Sequence, residues 1–362
     1  MAQPNIHTVF QQIENRTLPV QQSSELVKFA QSDLFFHLAA MKNSRSQVLK
    51  ACFADKGFGR VILGANINGF GCQIAGCKVE YLEKGFFAEP DEAIRADKRA
   101  HLDGAVVIVN NNDVGQHQAE FADFYARCDK TIFVAWDWDN HHWLDLSTFL
   151  SAHSDIYAPA HHENLYLLSR YNWATLGPVY CATVQWSRQF LADNVAKLVT
   201  AKRSNAPLGK HIPYAPFTYR NRVVSTLSQH YPSIGFSDRN FHVRTPDERL
   251  EEWYSHKVHW IAPVLNDVAI RIFDALSSGG IPVVPASMQF LPPIRDISRD
   301  HIVFSTPDDI MNPKPLIERA VAMFDAGGAD GIVARHRYAL DHHHGDQRMA
   351  DILRAVKERF AA

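Results

Sequence analysis

The chain has 362 residues, 46% of them hydrophobic and 21% charged, with a formal net charge of −2 at pH 7. That length predicts roughly two domains, and the composition is that of a globular protein rather than a disordered one. Near-neutral charge argues against nucleic acid as a main partner, since backbone binding needs a cationic excess; no apolar run approaches the roughly 18 residues of a membrane span. Met1–Gln22 is polar and lacks the basic-then-apolar order of a secretory signal. Five cysteines, an odd number with no C-x-x-C pair, fit reduced thiols better than a disulfide framework or a zinc ribbon. A cytoplasmic protein with at most peripheral membrane contact is expected.

Short apolar runs alternate with helical patterns, the order that builds parallel sheets with crossover helices. In the first half, strands are predicted at Arg60–Leu63, Ala105–Val109, Thr131–Ala135 and Asp155–Ala158. Helices are predicted around Ser44–Phe53, Gln116–Cys128 and Glu163–Tyr171. Gly64–Gly76 (GANINGFGCQIAG) follows the first strand but is no G-x-G-x-x-G opening a helix, so a turn or an acceptor-side loop is expected there.

Phe133–Leu144 (FVAWDWDNHHWL) leaves a strand at its C-terminal end, where open α/β sheets place ligands. Two acids, two histidines and three tryptophans there can supply a general base and a sugar-stacking wall. Asp139 and His141 are the first choices for the base and Asp137 the next. The competing reading makes Trp136 and Trp138 core and the acids turn caps. The pairs His141–His142 and His161–His162 and the run His342–His344 lack H-E-x-x-H or another strong ligand spacing. No metal site is therefore expected, and His342–His344 read as a solvated turn.

Ala201–Gly209 (AKRSNAPLG), polar and turn-rich after a helix-like run from Ser187 to Thr200, reads as an interdomain linker. Two α/β domains are expected, at residues 1–203 and 204–345, with 346–362 as a terminal helix able to pack back on the first. The second half predicts strands at Ile212–Tyr214, Ser233–Phe236, Val258–Ala262, Ile281–Val284 and His301–Phe304, and helices at Asn221–His230 and Asp346–Phe360.

Residues 258–285 (VHWIAPVLNDVAIRIFDALSSGGIPVVP) read as a βαβ unit. Asn266 is the expected N-cap, with Asp267 after it where the helix dipole favours negative charge. Gly279–Gly280 supply the stop. The helix is apolar nearly all round; its charges, Asp267, Arg271 and Asp274, are spaced to share one face. A surface salt-bridge stripe is one reading. A ligand face is the other, with helix amides and Arg271 for a phosphate and Asp274 for sugar hydroxyls.

The wording RIFDALSSGGIPVVP (271–285) resembles the donor-binding segment of GT-B glycosyltransferases, especially exostosin-like and CgeB-like enzymes. There an Arg or Lys and then an acid precede A-L-x-x-G-x-I-P-V-V, and His301–Ile310 (HIVFSTPDDI) fits the following strand and helix. The resemblance covers roughly forty residues strongly and is diffuse elsewhere. It implies two Rossmann-like domains facing a central cleft. Retaining members carry two Glu eight residues apart, where this chain has Asn266 and Asp274. Asp274 keeps in kind the acid that holds the nucleotide ribose; Asn266 replaces the one that holds the donor sugar. Similar enzymes neutralise the diphosphate with basic groups in the region of Lys210–Arg222 (KHIPYAPFTYRNR), which nominates Arg220 and Arg222, then Lys210.

The expected activity is sugar transfer from a nucleotide-sugar co-substrate to a saccharide or lipid-linked acceptor, without metal or other cofactor. The resemblance suggests bacterial surface-polysaccharide synthesis. A nucleotide-sugar epimerase on the same fold and a non-catalytic nucleotide-sugar-binding protein are the alternatives.

Overall fold

The computed structural model describes residues 33–54, 57–70, 72, 74, 76–237 and 244–361. They form two compact units. One comprises the residues up to Arg60, Gly85–Gly177 and the end of the chain from Val356; the other comprises Val61–Lys84 and Pro178–Ala355. The junction expected at 203/204 lies inside the second unit, where Ser204 pairs in a parallel bridge with His256. The described residues from Val356 onward group with the first unit.

The strands of the first sheet are β1 (Arg60–Leu63), β2 (Lys78–Tyr81), β3 (Val106–Val109), β4 (Ile132–Asp137) and β5 (Ile156–Pro159), in the order β2-β1-β3-β4-β5. β3, β4 and β5 pair in parallel, Val106 opposite Ile132 and Val134 opposite Ile156. Every residue of these three is buried, the pattern of strands covered on both faces. That is why they read as unbroken apolar runs. β4 continues two residues beyond the expected end, through Trp136 and Asp137.

Helix α1 (Asp33–Phe53) begins well before the expected Ser44. It carries Arg45, whose guanidinium meets Asp155 at 2.7 Å and the carbonyls of Tyr125 and Thr131 at 2.8 and 2.7 Å. Asp155 also accepts the Phe133 amide at 2.8 Å. This buried pair ties the amino end of the sheet, opposite the carboxyl ends of β3, β4 and β5. The helix expected at Glu163–Tyr171 shrinks to Leu165–Leu168.

In the second unit, β6 (Gly209–His211) and β7 (Ile234–Phe236) pair in parallel, as do β8 (Val258–Trp260), β9 (Ile281–Pro285) and β10 (Val303–Ser305). Leu208 bridges His259 in parallel, and the Trp260 amide donates to Leu208 at 2.7 Å. The two-stranded sheet β6-β7 thus meets the three-stranded sheet β10-β9-β8 through this bridge. Read across the bridge, the order β7-β6-β8-β9-β10 parallels the first sheet's β2-β1-β3-β4-β5. The strand expected at Ile212–Tyr214 lies three residues earlier, because the chain turns away after His211.

Helix α2 (Ile270–Ser277) buries Ile272–Ser277 and stops as its glycines predict. The Gly280 amide reaches Ala275 and the Gly279 amide reaches Leu276, both at 2.8 Å, with Gly279 at φ 75. These are the bonds of a Schellman motif. A Cβ on Gly280 would stand 2.4 Å from the His259 ring and one on Gly279 2.5 Å from Ile332, so both positions need glycine. Helix α3 (Lys314–His343) packs beside α2, its Arg335 donating to Gly279 O at 2.9 Å. His342 and His343 are the end of this helix, and His343 and His344 are buried. The solvated turn expected there is corrected: only His342 is exposed. Among the described residues, no helix is long and apolar enough to cross a membrane.

Candidate functional site

The loops leaving the carboxyl ends of β3, β4 and β5 form one hydrogen-bonded rim. After β3, Asn110 caps Asn111–Val114 by accepting from the amides of Asn112 and Asp113, while Asp113 accepts the Asn110 amide. That box projects Asn111 toward the next loop. Its Nδ2 donates to Asp139 at 2.5 Å and its Oδ1 accepts the Trp138 amide at 3.1 Å. Asn140 does the same for the loop after β5, donating to the carbonyls of His161 and Glu163 and accepting the His161 amide at 2.8 Å. His161 Nε2 lies 2.9 Å from Trp138 O. A carbonyl only accepts, so the proton is on Nε2 and the Nδ1 lone pair is left over.

Several titratable groups cluster at this rim. Asp139 is partly exposed, with His142 Nε2 at 3.3 Å from its Oδ1. The ring of His141 packs edge-on against those of His142 and His161, at 4.4 and 4.2 Å between centroids. Burial, aided by the His161 and His142 imidazoles, lowers the pKa of His141 to about 2; burial lowers that of His161 to about 4. His141 and His161 are therefore neutral at neutral pH. Asp137 is fully buried beneath, accepting the Tyr157 hydroxyl at 2.7 Å. Burial raises its pKa to about 6 against that hydroxyl's opposing effect. The sugar-stacking wall expected from three tryptophans is reduced: Trp136 is core, Trp138 is half-buried and Trp143 is exposed.

In the second sheet the strand order turns between β6 and β8, the point outside whose carboxyl ends open sheets bind ligands. Arg220, buried on helix Thr218–Ser228, donates to Ala262 O at 2.8 Å and to Ile212 O at 2.7 Å. It thereby ties the segment leaving β8 to that leaving β6. Arg271 donates from Nη1 to His211 Nδ1 at 2.9 Å. His211 must accept, so its ring is neutral; burial and the Arg271 and Arg220 charges hold its pKa well below the ordinary value. Burial, with the repulsion of Arg220, lowers the pKa of Arg271 to about 10, which leaves it cationic at pH 7. Lys210 and Arg271 line one groove with Trp253 and Trp260.

Two features of the loop before α2 differ from expectation. Asn266 is not the N-cap: Leu265 and Asn266 are left-handed (φ 53 and 61) and the Asp267 amide donates to Val264 O at 2.9 Å. This is a type I′ turn, in which Asn is favoured. Asp267 lies in the turn and accepts the Val264 amide at 2.5 Å, and the helix starts only at Ile270. Asp274 is fully buried, accepts Gln185 Nε2 at 2.5 Å and has Oδ1 without a hydrogen bond among the described residues. Burial raises its pKa to about 7, with Gln185 and Arg271 opposing.

The structure therefore groups Asp137, Asp139 and His141 on one rim and Arg220, Arg271 and Lys210 at one turn of strand order. Arg222 is exposed on its helix, two residues from the buried Arg220 and so on another face. Asn111, His161, His211 and Gln185 were not singled out as site residues. Asn111 and His161 each lie two residues past the end of an apolar strand, a signal that could mark them; His211 ends β6, ahead of the strand expected at Ile212–Tyr214. Gln185 carries none. No protein-family model matches this sequence, and comparison with curated proteins finds no match.

Proposed function

We propose that the chain is a glycosyltransferase that moves a sugar from a nucleotide-sugar donor to a hydroxyl of a saccharide or lipid-linked acceptor. The reading includes the GT-B plan of two Rossmann-like domains facing a cleft. The observation that carries it is the placement of two cations, Arg220 and Arg271, against the segments that leave the carboxyl ends of β6 and β8. Two guanidiniums pre-set by backbone and imidazole contacts favour the negative charge that grows on a departing diphosphate.

In this reaction the acceptor O–H loses its proton at the Asp139 rim and its oxygen bonds to the sugar C1. The C1–O bond to the nucleotide diphosphate breaks, and the electron pair leaves with the diphosphate. Arg271 serves the phosphate, and Asp274, one turn further along α2, serves the ribose once Gln185 gives way.

A thermal-shift screen against UDP-, GDP-, CMP- and dTDP-sugars, followed by calorimetric titration and product analysis, tests this. Saturable binding of one donor class with transfer to an added acceptor supports it. No binding by any class would sink it. Binding with inversion of the sugar and no transfer would make the chain an epimerase, and binding without chemistry a nucleotide-sugar-binding protein.

A further inference from the structure

The first-sheet rim also holds a ligand set suited to a cation. A carboxylate oxygen of Asp139 and one ring nitrogen each of His141 and His142 lie within 4.8 Å of one another. Small side-chain rotations close such a group around an ion at metal–ligand distances of about 2.0–2.2 Å. Two further observations concern the imidazoles of this rim. His141 Nδ1 is buried and without a hydrogen-bond partner among the described residues, and so is His161 Nδ1. An orphaned buried ring nitrogen is costly unless something fills it.

The surroundings are those of a ligand shell. His161 is fixed by its Nε2–H bond to Trp138 O, which sets the lone pair on Nδ1. Its ring contacts that of His141, at 4.2 Å between centroids. The Asp139 oxygen not facing His142 is held by Asn111 at 2.5 Å. Such outer contacts orient metal ligands. Asp139 and His142 keep side-chain exposures of 28% and 22%, which leaves an entry path.

We propose that Asp139, His141 and His142 bind a divalent transition metal. Imidazoles with one carboxylate favour Zn²⁺, Co²⁺, Mn²⁺ or Fe²⁺ over the all-oxygen preference of Mg²⁺ and Ca²⁺. The inference rests on the rim geometry alone, and it uses Asp139, the group that the transferase reading assigns to the acceptor proton.

The test uses the full chain without a histidine tag, treated with EDTA and dialysed. It is titrated with Co²⁺ alone, reading visible absorption and bound metal, and then with Zn²⁺ as competitor. One Co²⁺ per chain, displaced by Zn²⁺, is expected. Asp139→Asn and His142→Gln should each weaken binding about tenfold or more, and Asn111→Ala about tenfold. His342→Ala, outside the cluster, should bind like wild type. Circular dichroism accompanies each variant, since loss of the buried His141 risks unfolding the rim; the partly exposed His142 carries the decision. Equal Co²⁺ affinity in wild type and folded His142→Gln, or no saturable Co²⁺ binding by wild type, would overturn the proposal.

Discussion

The carboxyl edges of the two sheets share a strand order and carry opposite chemistry. Leaving β3, β4 and β5 are Asn111, Asp137, Asp139, His141 and His161, a set of carboxylates and neutral imidazoles. At the β6–β8 turn are two guanidiniums, Arg220 and Arg271, around a neutral His211. The backbone supplies both edges with loops at equivalent places; only the side chains on those loops decide whether the edge suits a proton, a cation or an anion. The stitching differs too. Side-chain amides of Asn111 and Asn140 hold the first edge, whereas the cation Arg220 itself holds the second. Charge at the second edge is therefore also structure, and removing Arg220 would confound binding with folding.

The largest effect expected belongs to the first edge. Asp139→Asn should lower turnover by roughly a hundredfold or more while donor affinity measured by calorimetry stays at the wild-type value. A parallel fall in donor affinity would erase the distinction drawn between the edges. At the second edge, Arg271→Ala removes a charge-assisted contact worth about 1.5–3 kcal/mol, so donor affinity should drop by one to two decades. Arg271→Lys should recover part of it, since the charge returns without the planar fork. EDTA should leave donor binding unchanged if, as proposed, Arg220 and Arg271 neutralise the diphosphate. Wild-type donor affinity in folded Arg271→Ala would remove the anion role from this edge.

The two buried carboxyls offer a comparison in pH. Asp137 and Asp274 have folded-state pKa values of about 6 and about 7, raised by burial above the ordinary carboxyl value. The folded state therefore holds their protons more tightly than the unfolded state does. Their contribution to stability is fully present below the unfolded value and is lost as pH rises through the folded one. Urea melts from pH 4 to 8 should show wild type losing on the order of 2 kcal/mol relative to Asp137→Asn, levelling off near pH 6. The loss relative to Asp274→Asn should continue to near pH 7. Flat differences across this range would show that water reaches these groups. The smallest effect is expected from Arg222→Ala, exposed and pointing elsewhere: donor affinity should change by less than about twofold.

Much of the fold was readable because buried parallel strands are unbroken apolar runs. Arg60–Leu63 matches its predicted limits, and β3, β5, β7 and β9 lie within a residue of theirs. β6 was displaced because Gly209–His211 is only three residues long and holds a lysine and a histidine. Asn266 looked like a cap because Asn serves both at helix starts and in left-handed turns. The choice between the two depended on the Val264–Asp267 hydrogen bond. His343 and His344 looked solvated from composition alone, yet the Tyr180 hydroxyl meets His343 Nδ1 at 2.6 Å and His344 reaches Trp186 O at 3.0 Å. Those partners lie more than 150 residues away in the chain, beyond any local pattern.

By itself the sequence determined the strand ends from which chemistry would leave, since an apolar run followed by Asn, Asp or His marks a buried strand entering a polar loop. It also determined where α2 must stop, since Gly279 and Gly280 admit no side chain against Ile332 and His259. Only the tertiary structure decided which polar residues meet. His141 contacts His161 and Asn111 holds Asp139 because β3, β4 and β5 lie side by side. Arg271 reaches His211, sixty residues earlier, because β8 packs next to β6. Strand neighbours are set by the packing of whole sheets rather than by proximity in the chain, and burial, which depends on that packing, is what moves the carboxyl and imidazole pKa values.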